Sequence, residues 1–227
     1  MDIIILIGII VGVLSVIMLS LTVINILQAG SKKSDGRSME EIIGVDPVKA
    51  TFEDVEKLSR KDKMQLFYAA ETPDFSELDG EYRAGLLSGG VLGKSSAMFT
   101  HHVFPTGMIT LGTKWVGKAF TQETELTGRG YNIFTKKDKN GSAVTLRIRE
   151  MKTGIGPTKL GKDGKYSFKI DYRMFNSGSV KSMRDELRRI NENLYIGAGY
   201  MGLGGGSINP APFVLIGPPT PFKGADR

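Results

Sequence analysis

The side chains able to do chemistry are few. His101 and His102 are the only histidines, and the chain has no cysteine. On a strand, neighbouring residues face opposite ways, so the two imidazoles cannot form one site. One of them faces inward, either as a ligand contact or as a satisfied pocket histidine, and His101 is taken as that candidate. With no cysteine and no acidic residue at telling spacing, no metal site is expected. Gly197-Ala198-Gly199-Tyr200-Met201-Gly202 matches the G-x-G-x-x-G dinucleotide fingerprint. That motif works only where a helix follows directly and points its N-terminus at a pyrophosphate. Here Leu203-Gly204-Gly205-Gly206 and Asn209-Pro210 follow, so a close-packed glycine-rich strand and turn is the better reading. Carboxylates occur at Asp79, Glu81, Glu123, Glu125 and Asp171, but nothing in the sequence pairs them. There is no G-x-S-x-G, P-loop or H-E-x-x-H. The sequence offers no sign of catalysis and names no cofactor.

The dominant element lies elsewhere. Ile3 to Ala29 carries no charge and consists mainly of Ile, Leu and Val. A membrane-spanning helix needs about 20 such residues, and the run is too uniformly apolar for a core helix. It reads as one transmembrane helix, with the domain division 1–29 helix, 30–50 linker, 51–217 helix plus barrel, and 218–227 Pro/Gly-rich tail. A cleaved signal peptide is disfavoured: Met1-Asp2 is acidic where a basic flank is required, and the apolar run is too long. Lys32, Lys33 and Arg37 follow the helix, and no Lys or Arg precedes it. This flank predicts the domain on the cytoplasmic side. Gly8, Gly12 and Ser15 form a small-residue face on which a second helix, or lipid, packs.

The remaining chain suits one domain. The net charge of +6 fits anionic headgroups, an acidic partner or simply dispersed surface lysines; no nucleic-acid partner is read from it. The linker holds a helical turn near Met39–Ile43. Thr51 to Glu71 is helical, with caps at Thr51 and Ser59 and an apolar face of Leu58, Met64, Phe67 and Tyr68. Strands are expected at Glu81–Leu87, Ala97–Phe104, Lys114–Thr121, Tyr131–Lys137, Ala143–Met151, Tyr166–Tyr172, Leu194–Leu203 and Phe213–Ile216. Asn140-Gly141 and Asp163-Gly164 mark hairpins. A late helix is expected at Val180–Ile190, from Met183, Leu187 and Ile190 at helical spacing opposite a basic face. The fold class is therefore mainly β: an antiparallel barrel of about eight strands with flanking helices, preceded by the transmembrane helix. An open sheet packed on the helices is the alternative.

Several stretches resemble the GXWXG-type domain, a calycin-like (lipocalin-like) family. Leu78-Asp79-Gly80-Glu81-Tyr82-Arg83-Ala84-Gly85-Leu86-Leu87 resembles its start, with Tyr82 in the Trp position and the second glycine shifted by one. Trp115-Val116-Gly117-Lys118-Ala119-Phe120 and Gly130-Tyr131-Asn132-Ile133-Phe134 resemble its middle. Leu194-Tyr195-Ile196-Gly197 and Pro212-Phe213-Val214-Leu215-Ile216 resemble its last strands. The resemblance implies a β-barrel and carries over no catalytic residue. Three roles are open. The first is a non-catalytic accessory subunit of a larger membrane complex, with the tail lying along a partner. The second is a barrel binding a lipid, pigment or other apolar molecule, with Tyr82, His101, Trp115 and Tyr131 as pocket candidates. The third is an enzyme acting on a lipid-like substrate in the same cavity.

Overall fold

A computed structural model describes residues 3–87 and 90–226. Met1 and Asp2, half of the flanking-charge comparison, lie outside the described residues. Helix α1 (Ile3–Ala29) is continuous over 27 residues. It is long and apolar enough to cross a membrane, and its most apolar window is unburied. Ser15 and Thr22 turn their hydroxyls back onto the carbonyls of Val11 and Met18, both at 2.8 Å. The last turns meet the domain: Asn25 and Ala29 are buried.

Three short helices follow, each begun by the cap its sequence offers. Ser38 and Glu41 form a capping box on α2 (Met39–Ile43), and Thr51 and Asp54 form another on α3 (Phe52–Glu56). Ser59 caps α4 (Arg60–Ala69) through the Asp62 amide. The helical region expected over Thr51–Glu71, with its two caps, is thus two helices, because each cap starts its own. Met64, Leu66, Phe67 and Tyr68 of α4 join Ile196, Ala198 and Val214 in one apolar cluster on the barrel's outer wall.

Eight antiparallel strands form a closed meander in sequence order: β1 (Gly80–Leu86), β2 (Lys114–Gln122), β3 (Thr127–Lys137), β4 (Ala143–Pro157), β5 (Tyr166–Asp171), β6 (Arg184–Asn191), β7 (Leu194–Tyr200) and β8 (Ala211–Thr220). Closure comes from β8 on β1, with Arg83 opposite Ile216 and Gly85 opposite Val214. The ring of eight is closed, which is the advantage of a barrel over an open sheet, although Ala143–Met151 of β4 pairs with β3 alone. Alternate residues face in. Tyr82, Trp115, Phe120, Phe134, Met151, Phe168, Ile170, Leu187, Tyr195, Phe213 and Leu215 form the interior cluster.

Two expected elements differ. Ala97–Phe104 is not a strand: α5 (Gly93–Met98) continues as a wider helical turn through Phe99–Val103. The ring closes without it, because β1 pairs with β2 and β8 directly. The segment instead tucks Phe104 into the barrel end, against the rings of Phe134 and Tyr172 at 5.8 and 5.6 Å. His101 and His102 therefore sit on a helix. Conversely, Val180–Ile190 is not a helix but a short turn (Gly178–Ser182) followed by β6. Its charges are not a solvated face. Asp185 pairs with Lys118 inside, while outside Glu186 pairs with Lys169 and Arg188 with Asp163. Those partners make a buried strand of charged residues tolerable where local periodicity favoured a helix. The tail lies on its own barrel: β8 runs to Thr220, the Phe222 ring is 5.0 Å from Tyr131, and Asp226 accepts from the Arg147 amide.

Candidate functional site

The four loops β1–β2, β3–β4, β5–β6 and β7–β8 share one end of the barrel, and α1 leaves the domain at that end. The junction is held by Asn25, which is 4% exposed. Its amide nitrogen donates to Asn209 Oδ1 (2.6 Å), and its Oδ1 accepts from the Leu92 amide (3.2 Å). Its carbonyl accepts from Arg60 Nε (3.1 Å). Arg60 Nη2 donates to Asn209 Oδ1 and to the Pro210 carbonyl (2.7 Å). One asparagine on the apolar helix thereby joins α4, the β1–β2 loop and the β7–β8 loop. Gly90 packs into the same knot with a positive φ; a Cβ there would meet Asn25 Oδ1 at 2.2 Å and Arg60 Cδ at 2.8 Å.

Beside this junction lies a cavity of about 360 Å³. Its outer wall is one stripe of α1 (Met18, Thr22, Asn25), with Leu92, Ser96 and Phe99 opposite. Inside the barrel it is lined by Leu86, Phe104, Trp115 and Phe213, and its floor is Lys118 with Asp185. The volume and apolar lining with a few convergent polar groups are those of a small-molecule pocket. Below the floor the barrel is filled: Phe120 stacks edge-on to Phe168 at 5.1 Å, and Tyr82 to Tyr195 at 5.8 Å.

The floor is a closed polar network. Lys118 Nζ donates to Asp185 Oδ2 (2.7 Å), Tyr172 OH (2.5 Å) and Asn132 Oδ1 (2.8 Å), which uses all three of its protons. Tyr172 OH donates to Asp185 Oδ2 (2.8 Å) and accepts from Asn132 Nδ2 (3.2 Å). Trp115 Nε1 donates to Asn132 Oδ1 (3.1 Å). Lys118 and Asp185 side chains are each 3% exposed. Burial pulls the Lys118 ammonium below the ordinary lysine range, opposed by the adjacent Asp185. Burial also pushes the Tyr172 phenol well above its ordinary value, with Asp185 adding to it. Such a network orients Trp115 and gives the cavity a polar base. Asp185 Oδ1 lies against Gly199, where a Cβ would come within 2.8 Å, and it has no donor among the described residues.

Of the four pocket candidates, Trp115 alone lines this cavity. His101 stands behind it: its Nδ1 accepts from the Trp115 amide at 3.0 Å. Burial, then His102 and Lys114, lower its pKa. Tyr82 points into the barrel but near the opposite end, where it borders an open cleft of about 970 Å³ with Arg189, Glu77 and Tyr195. Tyr131 faces outward, its hydroxyl donating to Glu81 Oε1 at 2.6 Å. Gly8, Gly12 and Ser15 stay on the exposed part of α1, with nothing within 4 Å of a Cβ at either glycine. Gly197 lies on the inner face of β7, where a Cβ would meet Phe213 at 2.4 Å and Leu187 at 2.5 Å; the G-x-G-x-x-G run is close packing. Lys118, Asp185 and Arg60 escaped the sequence reading because nothing local distinguishes them from surface charges.

The mouth end also carries the exposed apolar residues of the loops. Met108, Ile109 and Leu111 are 74%, 74% and 80% exposed, and Met98, Met174 and Ile208 are also exposed. Lys94, Lys136, Lys137, Lys139 and Lys181 belong to the same loops and strand ends.

No protein-family model and no curated protein sequence matches the chain. Among solved structures, the fold is similar to that of a crystal structure of a protein from Thermomonospora curvata. The two share 16% identity over 67% of this chain and 82% of that chain, with a TM-score of 0.42. A likeness that distant bears on neither ligand nor activity. The closed eight-stranded barrel is consistent with the calycin-like architecture, and the likeness to the GXWXG-type domain rests on the quoted residues.

Proposed function

We propose that this chain is a membrane-anchored barrel that binds one apolar or amphipathic molecule drawn from the bilayer. The observation that carries the reading is the shared wall: the cavity is lined by Met18, Thr22 and Asn25 of the apolar helix and by Trp115 and Phe213 of the barrel interior. If α1 spans, Ile3 to Leu21 covers about 28 Å at 1.5 Å per residue, close to the hydrocarbon thickness. Thr22 and Asn25 then sit at the headgroup level. The cavity mouth faces lipid, and Met108, Ile109 and Leu111 rest in the interface. The basic residues of the mouth loops join Lys32, Lys33 and Arg37 in supporting a cytoplasmic barrel.

Trp115 is the only tryptophan, so its fluorescence reports on the cavity alone. Titrating the full chain in zwitterionic vesicles with a bromine-labelled fatty-acyl methyl ester is the test. Saturable quenching of Trp115 is expected; emission unchanged by the brominated chain removes the reading.

Assembly with other membrane-protein subunits is a second proposal. Its support is that Gly8 and Gly12 have open space where a second helix would pack. Native separation after gentle detergent extraction checks it, and a strictly monomeric chain with no co-purifying subunit removes it.

A further inference from the structure

Lys118 and Arg188 are buried cations neutralised by a carboxylate, and Arg60, at the cavity mouth, differs from them. Lys118 has Asp185, and Arg188 has Asp163 at 2.7 Å. Arg60 is as deeply buried, at 6% exposure, yet among the described residues it has no carboxylate partner. Its contacts are neutral oxygens: the Asn25 and Pro210 carbonyls and the Asn209 amide. Nε and Nη2 are used in these bonds, and Nη1 has no partner among the described residues. Burial is the one influence on its proton affinity, with no acidic neighbour to offset it. A buried guanidinium without a counter-charge is costly and is ordinarily compensated.

Arg60 lines the cavity next to Asn25, which the spanning reading proposed above puts at the headgroup level. We infer that Arg60 binds the anionic head, carboxylate or phosphate, of an amphiphile whose apolar chain lies in the cavity along Phe99, Phe104 and Trp115. The inference rests on the cavity reading proposed above and adds the ligand's charge. A planar guanidinium with a spare N–H pair suits a carboxylate or phosphate oxygen, through charge-assisted hydrogen bonds. The apolar lining cannot favour a small free anion, and the neutral contacts that hold the guanidinium leave its charge for the ligand.

The experiment compares dibromostearate with its methyl ester as quenchers of Trp115, using the full chain in phosphatidylcholine vesicles. Half-maximal quenching is expected at a concentration at least tenfold lower for the acid than for the ester. Arg60→Lys keeps most of that ratio, and Arg60→Gln brings it to about one while ester quenching persists. Equal quenching by acid and ester in the unaltered chain overturns the inference and leaves the cavity reading standing. Quenching by neither overturns both. Inorganic phosphate is the third arm. If phosphate displaces dibromostearate as effectively as unlabelled stearate does, the occupant is a free anion and the lipid assignment is overturned. The unaltered chain's acid-to-ester ratio needs no variant, so a failure of Arg60→Gln to fold leaves the test intact.

Discussion

Replacing Asp185 with Asn keeps the side chain's shape and removes one charge from a pair buried on both sides. Lys118 Nζ then retains Tyr172 and Asn132 as acceptors but has no anion within reach. Removing one member of a buried ion pair costs about 3–5 kcal/mol, because the other charge is left uncompensated. At about 2–4 °C per kcal/mol for a chain of this size, a loss near the lower bound lowers the melting temperature by about 6–12 °C. Lys118→Met leaves Asp185 with Tyr172 as its one donor and costs a similar amount. The double variant leaves no uncompensated charge, so it should cost less than either single change and far less than the sum of about 6 kcal/mol. The sign with pH follows from the same burial. Without Asp185, the denatured chain binds the Lys118 proton more tightly than the native chain, whose lysine is held below 10.5. Asp185→Asn therefore regains stability as pH rises toward 10.5. Urea unfolding of the full chain in mild detergent, followed by Trp115 emission and by strand circular dichroism, measures all three variants. Strictly additive losses, or an Asp185→Asn change within about 0.5 kcal/mol of zero, would refute the account of the pair.

Six tyrosines have raised pKa values: Tyr68, Tyr131 and Tyr195 are pushed up to about 12, and Tyr82, Tyr172 and Tyr200 are raised well above the ordinary phenol range, in each case first through burial. Their stabilising contribution is full below the unfolded value near 10 and drains as pH rises past it. Most of the tyrosinate absorbance, that of these six, should therefore rise in one cooperative step, coincident with loss of strand signal; gradual titration of most of it in a still-folded chain contradicts this. Gly90→Ala should loosen α1 from the barrel, since its Cβ meets Asn25 and Arg60 and its φ is +75°. Faster hydrogen exchange at the Val91 and Leu92 amides, which donate to Gln28 and Asn25, is the readout, and unchanged protection counts against the junction. An environment-sensitive dye at Leu111 in vesicles should emit further to the blue than one at Leu126 on the β2–β3 loop. Both residues are equally exposed in the protein alone, so equal emission would place the mouth away from the bilayer.

Sequence alone determined much of this protein. An uncharged run from Ile3 to Ala29 has no stable conformation but a helix in an apolar medium, whatever follows it. The caps Ser38, Thr51 and Ser59 started helices where they stood, because a capping hydroxyl acts on amides two or three residues away. Asn140-Gly141 and Asp163-Gly164 turned the chain where tight positive-φ turns are cheap, with Gly141 and Gly164 at +80° and +71°. All of these act within one turn of the backbone. Tertiary structure decided the rest. Val180–Ile190 has helical spacing, yet its charges are matched from β2, β5 and the β4–β5 loop, and only barrel closure brings those partners near. Ala97–Phe104 has strand composition, but the ring of eight closes without it and its Phe104 packs into the barrel end instead. The site was hidden for the same reason. Asn25, Arg60, Trp115, Lys118 and Asp185 are spread over four segments, and each looks ordinary beside its neighbours. Their pairing energies depend on distances and burial that exist only once the segments pack, so no local pattern could announce them.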